Sequence, residues 1–266
     1  MVGILKKIII GFVLVFLYLP IIVLAIYSFN ASEFLGVWEG FSFKWYIELF
    51  NNDIIKEALY YTVTVAISAT IIATILGTVV SVGLYYSNTK IKKSIMTANY
   101  LPILNPDLIT GISLMIFFVI FRIKFGFSTM LLAHIIFDTA YVIVILLPKL
   151  MHINFSQIEA AMDLGANKLT ILVKVILPQI KQGIIAGALL AFTMSIDDFV
   201  ISFFTAGNTA TNLSITIYSM ARRGVKPYVN ALATIMFVLI IALVFVVNKV
   251  NDNKIKGYKV SLIEKA

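Results

Sequence analysis

Two stretches of this chain, residues 8–32 and residues 58–89, contain no charged side chain at all. An α-helix rises about 1.5 Å per residue, so roughly 20 apolar residues carry it across the hydrocarbon core of a bilayer. Six runs reach that length, at about 8–29, 58–86, 95–121, 126–148, 183–205 and 229–248. Of the 266 residues, 61% are hydrophobic and only 13% charged, which is too little polar surface to coat a soluble globule of this size. The solvent is therefore lipid. The expected fold class is all-α, a polytopic membrane protein with six transmembrane helices.

Lys6 and Lys7 precede the first run in the manner of a signal peptide. The uncharged stretch outlasts a signal core of about 7–15 residues and no small-residue cleavage site follows, so a retained span is expected. The chain has no cysteine, which excludes disulfides and thiolate metal sites. The net charge of +8 matters through its distribution. With the N-terminus inside, the inner segments hold Lys6, Lys7, Lys90, Lys92, Lys93, Lys149, Lys168, Lys174, Lys181 and five lysines after Asn248, 14 of the 21 basic residues. That excess places both termini in the cytoplasm and gives the charge a topological rather than a nucleic-acid-binding meaning. Arg222, Arg223 and Lys226 fall on the outer side, against the rule.

Small residues recur within the spans. Ala66, Thr70, Ala73, Gly77 and Ser81 follow one another at intervals of three or four, and Gly183 and Gly187 repeat the device. Such a stripe lets helix backbones approach closely, although it also matches ordinary membrane composition. The outer loop from Asn30 to Lys56 concentrates Trp38, Phe41, Phe43, Trp45, Tyr46 and Phe50 beside Glu33, Glu39, Glu48 and Asp53. An interfacial aromatic belt accounts for most of these.

The inner loop, residues 149–182, is more informative. Ser156 and Glu159 fit a capping box, Gly165 supplies a C-terminal stop, and Asn167 suits the cap of a second helix ending near Pro178. A short helix is expected to project into the cytoplasm. Ile158, Ala161, Met162 and Leu164 form an apolar side that lipid does not cover, and such a face calls for a protein partner. His152 reads as a solvated residue.

Glu159-Ala160-Ala161, Gly165 six residues after the glutamate, and Leu177-Pro178 resemble the EAA motif of ABC importer permeases. Tyr27-Ser28-Phe29-Asn30, Trp38-Glu39-Gly40-Phe41, Lys44-Trp45-Tyr46, Ser195-Ile196-Asp197-Asp198-Phe199 and Asn230-Ala231-Leu232-Ala233-Thr234 are similar to the second permease subunit of spermidine/putrescine importers. Leu172 stands where that family often has Phe, and Gln182 where it often has Pro. The resemblance implies a type I importer permease (MetI-like) fold in a bacterial cell membrane. It also implies ATPase coupling through Glu159, Ala160, Ala161, Asp163 and Gly165. The implied partners are a second permease subunit, two cytoplasmic ATPase subunits and an extracytoplasmic polyamine-binding protein. The chain would be one permease domain over 1–266 with a cytoplasmic tail over 249–266. It has no catalytic or metal site of its own and no phosphate-binding glycine loop, so ATP and magnesium would sit on the partner ATPase.

Charged residues inside spans are functional candidates by default. Asp107, Asp138, Asp197 and Asp198 lie within the six runs, and no lysine or arginine accompanies them. Counted along straight helices, Asp107, Asp138 and Asp197 each sit roughly 21 Å from a membrane face, near mid-depth. Unpaired acids there suit a polyvalent cation, with Tyr18, Trp45 and Tyr46 as cation–π partners. Asp107 and Asp198 match acidic positions of the resembled family; Asp138 does not. Structural roles compete: Asp107 can cap a helix restarting after Pro106, Asp138 can bond His134 one turn earlier, and adjacent Asp197 and Asp198 point about 100° apart, so one pathway takes only one of them. The rival functions are an importer of another small solute, a secondary transporter, and a metal-dependent membrane enzyme, which would need a second acidic cluster.

Overall fold

A computed structural model describes residues 2–34, 36–223, 227–239 and 241–242. It divides into two compact units, Met1–Asp53 with Ser219–Ala266, and Ile54–Tyr218. In the first, helix α1 (Val2–Tyr27) is apolar throughout and leads into a loop and the short α2 (Lys44–Asn51). Helix α12 (Tyr228–Leu239) follows near the other end of the chain. The sixth run is described only in part, and the tail over 249–266 and Lys226 lie outside the described residues.

The second unit begins with α3 (Asp53–Tyr86), 34 residues long and one turn longer than its uncharged run at the N-terminal end. Then follow α4 (Thr89–Leu104), α5 (Asp107–Ile120) and α6 (Phe127–Met151). The inner segment holds α7 (Phe155–Asp163), α8 (Lys168–Ile171), a π-turn (Leu172–Ile176) and α9 (Leu177–Ile196). Short α10 (Val200–Thr205) and α11 (Leu213–Arg223) close the order.

Among the described residues, four helices are long and apolar enough to cross a bilayer, or five if the α4–α5 pair counts as one span. The third run over 95–121 breaks at Pro106 with a helix restarting at Asp107, as its prolines suggest, and α4 and α5 meet at 109°, so only the depth counted along a straight helix is corrected. Pro106 cannot continue a helix and biases Asn105 to extended backbone, where its ψ is 144°. The fifth run is corrected too, because α9 stops at Ile196 and α10 restarts at Val200. A third correction concerns Pro178, which does not end a helix. The preceding π-turn shifts the bonding register, with the Leu177 N–H bonded to the Leu172 carbonyl. The chain then runs helical from Lys168 to Ile196.

α6 is the centre of this unit and packs most extensively on α9. Small residues of α3 and α9 let both helices approach it closely. Ala66, Ala73, Gly77 and Ser81 are buried, and Val142 of α6 lies between Gly77 of α3 and Gly187 of α9. A Cβ on Gly77 would stand 2.5 Å from Val142 Cγ1, so only hydrogen fits there. Gly77→Ala should therefore lower the melting temperature of the purified protein in detergent, at a cost of about 1–3 kcal/mol for overpacking. Adding Val142→Ala should recover part of the loss; thermal unfolding of both variants checks this.

Candidate functional site

Residues 149–182 build a short helix closed at both ends. Its N-cap is Asn154, whose Oδ1 accepts the Ser156 N–H at 3.1 Å. The expected Ser156–Glu159 capping box is therefore corrected by one turn's start: Ser156 already lies inside α7. At the other end Gly165 takes φ +77°, the left-handed conformation glycine adopts without Cβ strain. Its N–H bonds the Met162 carbonyl at 2.8 Å and the Ala166 N–H bonds that of Ala161 at 3.0 Å, closing the helix with two orphan carbonyls satisfied. Asn167 caps the next helix through Thr170 N–H at 2.8 Å, as expected.

Which face of α7 is free differs from expectation. Ile158 is fully buried with Leu150, Ile171, Ile176 and Ile180, and Ala161 packs against the same cluster. These two seat the helix on its own chain. Phe155, Glu159 and Met162, at helical spacing, form the exposed stripe together with Ala160, Asp163 and Leu164, the last 89% exposed. Gly165 and His152 are exposed as well.

The outer loop of the first unit is held by its own aromatics. Phe29 stacks on Phe41 with centroids 5.2 Å apart and meets Phe43 and Tyr46. Trp45 is only 3% exposed, and its indole N–H donates to the Asn30 carbonyl at 2.6 Å. Lys44 already covers its ring at 4.7 Å, so the expectation that Trp45 offers its face to a solute is corrected. The Tyr46 hydroxyl is bonded to Ser28 Oγ at 2.7 Å, while Tyr18 is exposed on α1. Lys44 also bonds Glu33 at 2.7 Å and holds that carboxyl below its ordinary range, chiefly through the hydrogen bond.

The four acids all belong to the second unit, and their environments differ. Asp107 is exposed at the first position of α5, just past the corner. Its depth along a straight span no longer applies, because the helix turns there. Asp197 is exposed as well. Asp198 is turned inward and caps α10: its carboxylate accepts the Ile201 N–H at 3.2 Å and the Ser202 N–H at 2.7 Å. Asp138 is fully buried, and neither of its oxygens has a hydrogen-bond partner among the described residues. The expected bond from Asp138 to His134 is not made, since both imidazole nitrogens are engaged by Ser195 and Ser202. Sequence spacing could not reveal this network, whose partners lie 61 and 68 residues away. The described residues contain no cluster of three or more metal-ligating acids and histidines.

The family described as "Binding-protein-dependent transport system inner membrane component" matches residues 73–257. The chain is 41% identical over 229 residues to the spermidine/putrescine transport system permease protein PotC of Haemophilus influenzae, covering 86% of this chain and 89% of that one. PotC of Escherichia coli strain K12 is 39% identical over 91% of this chain and 92% of its own. The putrescine transport system permease protein PotI of the same strain is 41% identical over 83% and 81%. In fold, the chain is similar to a bacterial ABC transporter involved in import of the acidic polysaccharide alginate, with TM-score 0.70 at 19% identity, covering 92% of this chain and 91% of that one. It is also similar to the MetNI methionine ABC transporter in inward-facing form, with TM-score 0.62 at 18% identity over 74% and 95%.

The caps of α7 can be told apart experimentally. Asn154→Ala should raise hydrogen exchange of the amides over 155–163 by roughly fivefold, from a cap loss of about 1 kcal/mol, while Ser156→Ala should leave it unchanged.

Proposed function

The chain belongs to the family of binding-protein-dependent transport system inner membrane components, and from that premise we propose that it carries polyamines across the membrane as one half of an ATP-driven importer. The chain is a permease subunit rather than an enzyme. The observation that carries the substrate class is the identity of about 40%, over most of the chain, to permeases named for spermidine and putrescine. Fold likeness does not decide it, because the same architecture serves an alginate importer.

Two exposed acids, Asp107 and Asp197, support a cationic solute. An exposed carboxylate with no lysine or arginine in its own apolar run is open to a cation that meets it. Asp198 and Asp138 serve this reading less directly, the first as a helix cap and the second fully enclosed. Tyr18 and Tyr46 remain aromatic candidates beside the path. The finer arrangement belongs to the same proposal. It comprises six spans in one permease domain over 1–266, both termini cytoplasmic, and the loop over 149–182 with the tail over 249–266 on the inner side. A second permease, two ATPase subunits that bind ATP and magnesium, and an extracytoplasmic polyamine-binding protein would complete the assembly.

Coupling to the ATPase would run through α7, with Glu159, Ala160, Asp163 and Gly165 on its free side and Ala161 at its seat. The exposed stripe of Phe155, Glu159 and Met162 is the kind of apolar face with a central charge that a groove on another protein receives.

The decisive experiment is reconstitution with the partner subunits. ATP hydrolysis should rise when binding protein loaded with spermidine or putrescine is added, and failure with both polyamines would reject the substrate class. Glu159→Lys and Gly165→Pro should abolish ATPase copurification or stimulated hydrolysis while membrane insertion stays intact; normal uptake in both would reject the coupling role. Asp197→Asn should raise the uptake KM for spermidine by roughly tenfold, the scale of one lost charge contact. Asp198→Asn should instead lower thermal stability, as cap loss does.

A further inference from the structure

The break between α9 and α10 carries two adjacent acids facing in opposite senses, and a single buried imidazole spans it. His134 of α6 is 1% exposed. Its Nδ1 lies 2.5 Å from Ser195 Oγ, in the last turn of α9, and its Nε2 lies 2.8 Å from Ser202 Oγ, in the first turn of α10. The same Nε2 is 3.5 Å from Asp198 Oδ2. A neutral imidazole has one donor and one acceptor nitrogen. With the proton on Nε2, it donates toward Ser202 and Asp198 while the Ser195 hydroxyl donates to Nδ1.

The backbone at the break is tied down from the far side. Asn212 Nδ2 donates to the Asp198 carbonyl at 2.9 Å, and Ser214 Oγ donates to the Asp197 carbonyl at 3.1 Å. Asp198 is thus drawn inward by His134 and by the N–H groups of α10, while the Asp197 side chain is left exposed. We propose that His134 is a positioning residue that sets which of the two acids is presented, turning Asp198 inward so that Asp197 faces outward. Its value for transport rests on the reading that Asp197 meets the cationic solute. Removing the imidazole leaves the buried Ser195 and Ser202 hydroxyls short of a partner and cuts the one side chain that ties α9 to α10 across the break, leaving Asp198 only its bonds to the α10 N–H groups.

The chain has no cysteine, so a single introduced thiol reports which position faces out. In the complete transporter in proteoliposomes, a membrane-impermeant thiol reagent should modify the Asp197→Cys chain at least about tenfold faster than the Asp198→Cys chain, the scale of one buried hydrogen bond. Adding His134→Ala should bring the ratio to within about twofold, and His134→Gln, which keeps a donor and an acceptor, should restore part of it. Ser195→Ala and Ser202→Ala each cut one arm and should lower the ratio even if His134→Ala does not assemble. A ratio unmoved by the serine variants or by His134→Ala overturns the proposal. In uptake, His134→Ala should raise the spermidine KM about tenfold with little change in maximal rate, and this rise should vanish in the Asp197→Asn background. Equal KM rises in both backgrounds overturn it. If the labelling ratio collapses but Asp197→Asn leaves uptake unchanged, the positioning stands and the solute contact at Asp197 falls.

Discussion

Inside a bilayer no water is available to a backbone group that leaves the helix, so every break must supply its own hydrogen-bond partners. This constraint organises the second unit. At the break after Ile196, Asp198 takes two N–H groups of α10, while Asn212 and Ser214 take the carbonyls of Asp198 and Asp197. Further along, Thr129 Oγ1 donates to the Thr205 carbonyl at 2.7 Å, covering the end of α10. Thr62 Oγ1 accepts the Leu213 N–H at 2.8 Å, covering the start of α11. Polar residues in apolar spans are therefore first of all the means by which a discontinuous helix survives there. Asp138 is the exception, buried with neither oxygen bonded among the described residues, while Asp107 and Asp197 are exposed.

Close packing joins this discontinuous region to the inner face. Val142 fits between glycines of α3 and α9, and one turn along α6 Leu146 continues the α6–α9 seam against Gly183. At the inner end, Leu150 of α6 and Ile180 of α9 meet Ile158 of α7 in one cluster. Helix α7 thus rests on the C-terminal end of α6 and the N-terminal part of α9, the two helices that carry His134 and Ser195 toward their opposite ends. The π-turn at Leu172–Ile176 lies in the same cluster through Ile176. Its wider turn brings Pro178 into a helix it would otherwise interrupt.

Much of this was legible in the residues. The uncharged runs, the small-residue stripe, the short inner helix and the glycine that closes it depend on local chemistry and on spacing within one helix. Such features survive folding with little change. The expectations that failed share a cause. Ser156 and Asn154 are equally good caps by residue type, and α7 starts from Asn154, whose Oδ1 takes the Ser156 N–H. Trp45 looks like an interfacial aromatic until its N–H is seen donating to Asn30 fifteen residues away. His134 and Asp138 stand one turn apart on α6 but do not bond, because helices from the far end of the unit bring hydroxyls to the imidazole first.

What the order of residues decided alone is that the chain is helical, lives in lipid and carries a short capped helix between long apolar ones, since hydropathy and capping act over a few turns. Which acid of the adjacent pair is exposed, what the His134 imidazole bonds and what covers the start of α11 were decided only by tertiary structure. Those outcomes hinge on hydrogen bonds and contacts between segments 60 or more residues apart, and no local pattern encodes them.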